Sequence, residues 1–234
     1  MTNSGVAALW VVRHGESTGN VARDRAERSG ATTIDIDVRD ADVPLSETGR
    51  RQAADLRRWL DQVPADRRPD AVLSSPYRRA VETAEIAAAG IEAGRILTDE
   101  RLRDRELGVL DLLTSLGVAE LHPDEAARKR RLGRLYHRPA GGESWSDVAL
   151  RLRSVLADID RRYPGRRLMV FTHEAVVLII RYIVEDLSES QLVDLAASTM
   201  LPNTAVSVFE RDASGLRATS FGRTPHLRPA SADG

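Results

Sequence analysis

Two short apolar runs, each stopping one residue short of a histidine, constrain this chain more than any other feature. Ala7–Val12 runs into Arg13-His14-Gly15, and Leu168–Phe171 runs through Thr172 into His173. Runs this short and this continuously apolar read as strands buried on both faces, which a parallel sheet covered by helices requires. Ala71–Leu73 is a third such strand, and Arg95–Thr98 reads as another. Helical spacing fills the gaps. Ser46 caps a helix to about Val63, with Ala53, Leu56, Trp59, Leu60 and Val63 on one face. Further helices are predicted over about Pro76–Ala89, Trp145–Arg161, Glu174–Val184 and Glu189–Ala197, the second of these opened by a capping box between Ser144 and Asp147. Thr204–Arg211 and Leu216–Phe221 flank Asp212-Ala213-Ser214-Gly215, a hairpin turn. Val21–Val43 has no regular pattern and reads as an irregular loop. The alternation predicts an α/β fold, a three-layer α/β/α sandwich around a mostly parallel sheet. Two charge-rich helices within about 109–140 are expected to form a helical cap inserted into a single domain, 1–222. The Pro-, Ser- and Ala-rich tail 223–234 is expected to be disordered.

Composition narrows the chemistry. With 42% hydrophobic residues there is ample core, and a formal charge of −1 provides no basic field for nucleic acid. The chain has no cysteine, which excludes disulfides, thiolate metal sites and a cysteine nucleophile. No histidine or carboxylate spacing matches a standard metal site, so neither metal nor cofactor is expected. The longest apolar run in a helix, Ala175–Ile180, is broken by Arg181 and too short to span a bilayer, so no membrane partner and a cytoplasmic location are expected. Lys129 is the only lysine; arginine supplies the rest of the positive charge.

In an open parallel sheet the carboxyl ends of the strands line one crevice, which would bring His14 and His173 together. Arg13 adjoins the first, and Arg78 sits in the first turn after the strand at Ala71–Leu73. Two imidazoles and two guanidiniums make a pocket for a phosphoryl group, since guanidinium forks match phosphate oxygens. Taken singly, each of these residues has an ordinary structural role; their combination is what points to chemistry. Asp35-Ile36-Asp37 has the form of another phosphatase nucleophile motif, but Gly30–Ile34 is a poor strand, and the match reads as coincidence.

Arg13-His14-Gly15-Glu16-Ser17-Thr18-Gly19-Asn20 resembles the signature of the histidine phosphatase superfamily, which includes the cofactor-dependent phosphoglycerate mutases. Pro44–Ala53 and Ser74–Ala84 resemble its next two segments, and the likeness runs from about Leu9 to Phe209. It implies His14 as a nucleophile that forms a phosphohistidine, with Arg13, Asn20, Arg78 and His173 on the phosphoryl oxygens, and His173 also counted as catalytic. Leu102-Arg103-Asp104-Arg105-Glu106-Leu107-Gly108 resembles the segment bearing the general acid. Strict register selects Asp104, with Glu106 as the alternate. The resemblance also suggests substrate-binding roles for Ser17, Glu143, Ser144 and Glu174. Glu174 stands where the family most often has glycine, and Gly19 where many members have tryptophan, so a standard glycolytic mutase is disfavoured. The expected reaction is metal-independent hydrolysis of a small phosphorylated metabolite or other phosphomonoester. A phosphomutase and a non-catalytic phosphate-binding or interaction module on the same fold are the alternatives.

Overall fold

The computed structural model describes residues 5–91 and 95–227 of the chain. Its core is a six-stranded sheet in the order β3-β2-β4-β1-β5-β6. The strands are β1 (Ala8–Arg13), β2 (Ala71–Ser74), β3 (Leu97–Thr98), β4 (Arg167–Thr172), β5 (Val206–Asp212) and β6 (Gly215–Arg223). The first four pair in parallel, and β5 and β6 add an antiparallel edge hairpin. Expectation and structure agree on the three-layer sandwich.

Period-two alternation assigns each strand residue to one of two helical layers. On one face Leu9, Val11, Leu168 and Val170 pack against α6 (Trp145–Arg162), α7 (Glu174–Val184) and α8 (Glu189–Ser198). On the other, Trp10, Val12, Met169 and Phe171 meet α2 (Glu47–Leu60) and α3 (Arg78–Ala87) through Leu56, Leu60, Ala84 and Ala87. Both faces of β1 and β4 are covered, which is why their sequences read as unbroken apolar runs.

Three expectations are corrected. Val21–Val43 is not wholly irregular, because α1 (Thr18–Ser29) occupies its first part. Only Ala26 of that helix is buried, so it carries no apolar stripe to read. The helix expected from Pro76 begins at Arg78 with Tyr77 as its N-cap. The tail expected to be disordered from Arg223 is ordered to Leu227. Arg223 closes β6, and His226 Nε2 lies 2.8 Å from Thr204 Oγ1, its ring 6.2 Å from that of Trp59. The segment from 228 onward lies outside the described residues.

Helices α4 (Ser115–Leu121) and α5 (Pro123–Tyr136) supply the cap. The last turn of α5 is kinked at Gly133, whose φ of 76° is a left-handed value that favours glycine.

Candidate active site

Strand register builds the site. Arg13 and Thr172 are partners at the carboxyl ends of β1 and β4, so the residues that follow, His14 and His173, emerge side by side. Their rings are 5.2 Å apart, edge to face, and both are buried. His14 lines a cavity of about 390 Å³ together with Arg13, Asn20, Arg79, Asp104, Arg134 and Glu174, and His173, outside that lining, stands beside Asp104.

The hydrogen-bond partner of His14 fixes its tautomer. His14 Nδ1 lies 2.7 Å from the Gly15 carbonyl, which can only accept, so Nδ1 carries the proton and Nε2 keeps its lone pair. Burial lowers the pKa of His14 well below the ordinary imidazole value, and His173, Arg79 and Arg13 add to the effect. His173 Nε2 lies 2.8 Å from Ser75 Oγ, which itself accepts from the Tyr77 amide. Its Nδ1 lies 3.3 Å from Asp104 Oδ2, and when the Ser75 hydroxyl donates to Nε2 the ring proton is on Nδ1, facing that carboxyl. Its pKa is also lowered, by burial first and then by Arg79, Arg151 and Arg13. Both rings are neutral near pH 7.

The loop after β1 is held from several sides. The Gly15 amide donates to Thr83 Oγ1, and the His14 carbonyl accepts from the Thr204 amide and from Asn203 Nδ2. Ser17 and Asn20 form the capping box of α1. The helix therefore starts at the cavity, with the positive end of its dipole toward it.

The arginine from α3 differs from the expectation. Arg78 has a side chain 55% exposed and pairs with Glu82, whereas that of Arg79 is 5% exposed and lines the cavity. A helix starting at Arg78 turns about 100° per residue, so only one of two adjacent arginines faces inward. Arg79 Nη1 donates to Asp40 Oδ1 and to its carbonyl, and Nη2 reaches Asp40 Oδ2 and Asp104 Oδ2. The guanidinium also lies 5.0 Å above the Tyr77 ring. Asp40 escaped the sequence reading because nothing local marks it; its partner is far along the chain. Burial raises its carboxyl pKa despite the opposing pull of Arg79.

The acidic candidates separate by contact. Asp104 is 3.3 Å from both Arg79 and His173, whereas Glu106 accepts from Tyr77 Oη at 2.8 Å and is half exposed. Glu143 is absent from the cavity lining; it pairs with Arg103 and Arg151 and braces the segment that carries Asp104. Ser144 caps α6 and likewise lies outside the lining. Glu174 does line the cavity, 3.4 Å from Arg13 Nη1. Among the described residues no cluster of three or more potential metal ligands occurs, and no helix is long and apolar enough to cross a membrane.

The sequence profile of the histidine phosphatase superfamily (branch 1) matches residues 9–224. The chain belongs to that superfamily. Among relatives of this histidine phosphatase, phosphoglycerate mutase-like protein 4 of Arabidopsis thaliana is 32% identical over 173 residues, covering 73% of this chain and 68% of that one. A metal-independent phosphoserine phosphatase from the same plant is 30% identical over 177 residues, 76% and 68% of the respective chains. Among solved structures, Bacillus stearothermophilus YhfR superposes with a TM-score of 0.71 at 28% identity, over 94% of this chain and 98% of the other. A mycobacterial glucosyl-3-phosphoglycerate phosphatase in complex with VO3 gives 0.71 at 25% identity, over 92% and 98%. The protein is thus an enzyme of the histidine phosphatase type.

Proposed function

We propose that this histidine phosphatase hydrolyses phosphomonoesters without a metal, through a phosphohistidine on His14. The observation that carries this reading is a pairing of opposites at one buried place. His14 Nε2 has a free lone pair, while Arg13 Nε is buried without a hydrogen-bond partner and His173 Nδ1 faces only Asp104 Oδ2 at 3.3 Å, out of line for a hydrogen bond. Such orphaned donors are costly unless a ligand takes them. In the first step His14 Nε2 bonds to phosphorus as the ester P–O bond breaks, and Asp104 gives its proton to the leaving oxygen. In the second, Asp104 takes a proton from water, the water oxygen bonds to phosphorus, the P–N bond breaks, and orthophosphate leaves. Arg13, Arg79, Asn20 and His173 hold the equatorial oxygens, where phosphoryl transfer most needs stabilisation. Asp104 is preferred over Glu106 because it sits beside His173 and Arg79.

A panel of phosphate esters assayed with wild type and His14→Ala, with trapping of an acid-labile phosphoenzyme, tests the proposal. Phosphate release and trapping are expected in wild type and lost in His14→Ala; hydrolysis surviving in the variant rules the mechanism out. The likeness to a phosphoglycerate mutase-like protein makes mutase activity the rival outcome. Isomerisation of 3-phosphoglycerate outpacing phosphate release would establish it.

A further inference from the structure

Each arginine of the proposed phosphoryl site already faces a carboxylate. Arg79 is held by Asp40 and touches Asp104, and Arg13 faces Glu174. The two histidines are neutral and contribute no compensating charge. Of the three acids, Glu174 is the one whose side chain has no described hydrogen bond or ion pair with His14, His173 or Arg79. It is the first residue of α7, its side chain 38% exposed against 15% for Arg13. Both residues also hold the Leu201 peptide. Arg13 Nη1 donates to its carbonyl, and its amide reaches Glu174 Oε1 at 3.4 Å. Nη1 is thereby engaged, and the unpartnered Nε is left for a ligand oxygen.

We propose that Glu174 is an internal counter-anion that weakens the site's hold on orthophosphate and so governs product release. The proposal rests on the phosphatase reading of the pocket. A phosphate dianion drawn to Arg13 brings its charge close to Glu174, and their repulsion is only partly screened in a half-exposed cleft. Product and ground-state ester both feel it. Lost affinity common to these states raises KM and eases release without a matching loss in the chemical step.

Orthophosphate binding is measured by calorimetry for wild type, Glu174→Gln and Glu174→Ala, and each is assayed on one phosphate ester. Removing a single like charge beside the anion is expected to tighten phosphate binding by roughly tenfold in both variants, with KM falling in step and kcat not rising. Unchanged or weaker phosphate binding in both variants, with hydrolysis intact, overturns this role for Glu174 and leaves the phosphatase reading standing. If wild type neither binds phosphate nor releases it from esters, the phosphatase reading falls and this proposal falls with it.

Discussion

At the scale of single residues, neighbours in sequence have unequal parts. Arg78 and Arg79 are both arginines in the first turn of α3, yet only Arg79 is buried against Asp40, Asp104 and the Tyr77 ring. Truncating Arg79 removes a preorganised charge from the proposed transition state and leaves Asp40 without its buried partner. Arg79→Ala is therefore expected to lower kcat/KM by about 10²–10³-fold, and Arg78→Ala by less than about threefold, since an exposed ion pair contributes little. Parallel steady-state kinetics on the two variants check this, and a reversed order would return the role to Arg78. The pair also marks a limit of sequence reading. Adjacent arginines in one motif are distinguished only by where the helix begins, and Pro76 suggested a start two residues too early.

At the scale of elements, the site depends on how closely loops approach. A Cβ on Gly49, in the first turn of α2, would lie 2.0 Å from the Glu16 carbonyl, so α2 can sit against the loop after His14 only with glycine there. The same loop is tied to α2 by Glu16, which takes the Ser46 hydroxyl at 2.6 Å and whose amide donates to Gln52. Gly49→Ala is expected to destabilise the fold by about 1–3 kcal/mol, with activity falling further than stability because the displaced loop carries the nucleophile. Thermal melts alongside kcat measurements decide it; an unchanged midpoint would mean the loop yields freely. Elements with a strong apolar pattern, such as β1, β4 and α7, were legible in the sequence. Helix α1 was not, because it docks through its N-terminus and one alanine rather than an apolar stripe. Glu143 and Ser144 show the reverse case. Their motif lies near the site, but their side chains brace Arg103 and Arg151 and cap α6.

At the scale of the whole molecule, stability and site are coupled through the buried imidazoles. His14 and His173 have pKa values held well below 6.5, and His226 is lowered to about 4 by burial. Below pH 6.5 the unfolded chain binds protons at these positions that the folded chain refuses, so stability falls as pH drops until the folded values are reached. Above pH 6.5 the three groups are neutral in both states and contribute no slope. Denaturant midpoints recorded from pH 7.5 to about 5 should therefore stay level down to about pH 6.5 and then fall in wild type, and fall less steeply in His226→Gln. Equal slopes for the two proteins would remove His226 from the account. Neither the His226 anchor nor the Asp40–Arg79 clamp was legible beforehand, since each joins segments far apart in sequence.

The placement of β1 has a consequence for how the protein is made. Its two neighbours in the sheet are β4 and β5, both from the last third of the chain. On the ribosome, β1 therefore emerges well over a hundred residues before either of its partners. Its apolar residues and both of its backbone edges must wait for residues 167–212 to emerge, a long-range closure that slows folding and leaves an adhesive strand exposed meanwhile. The register that places His14 beside His173 is thus completed only once β4 has emerged, so a ribosome stalled before β4 would carry the proposed nucleophile without a site around it.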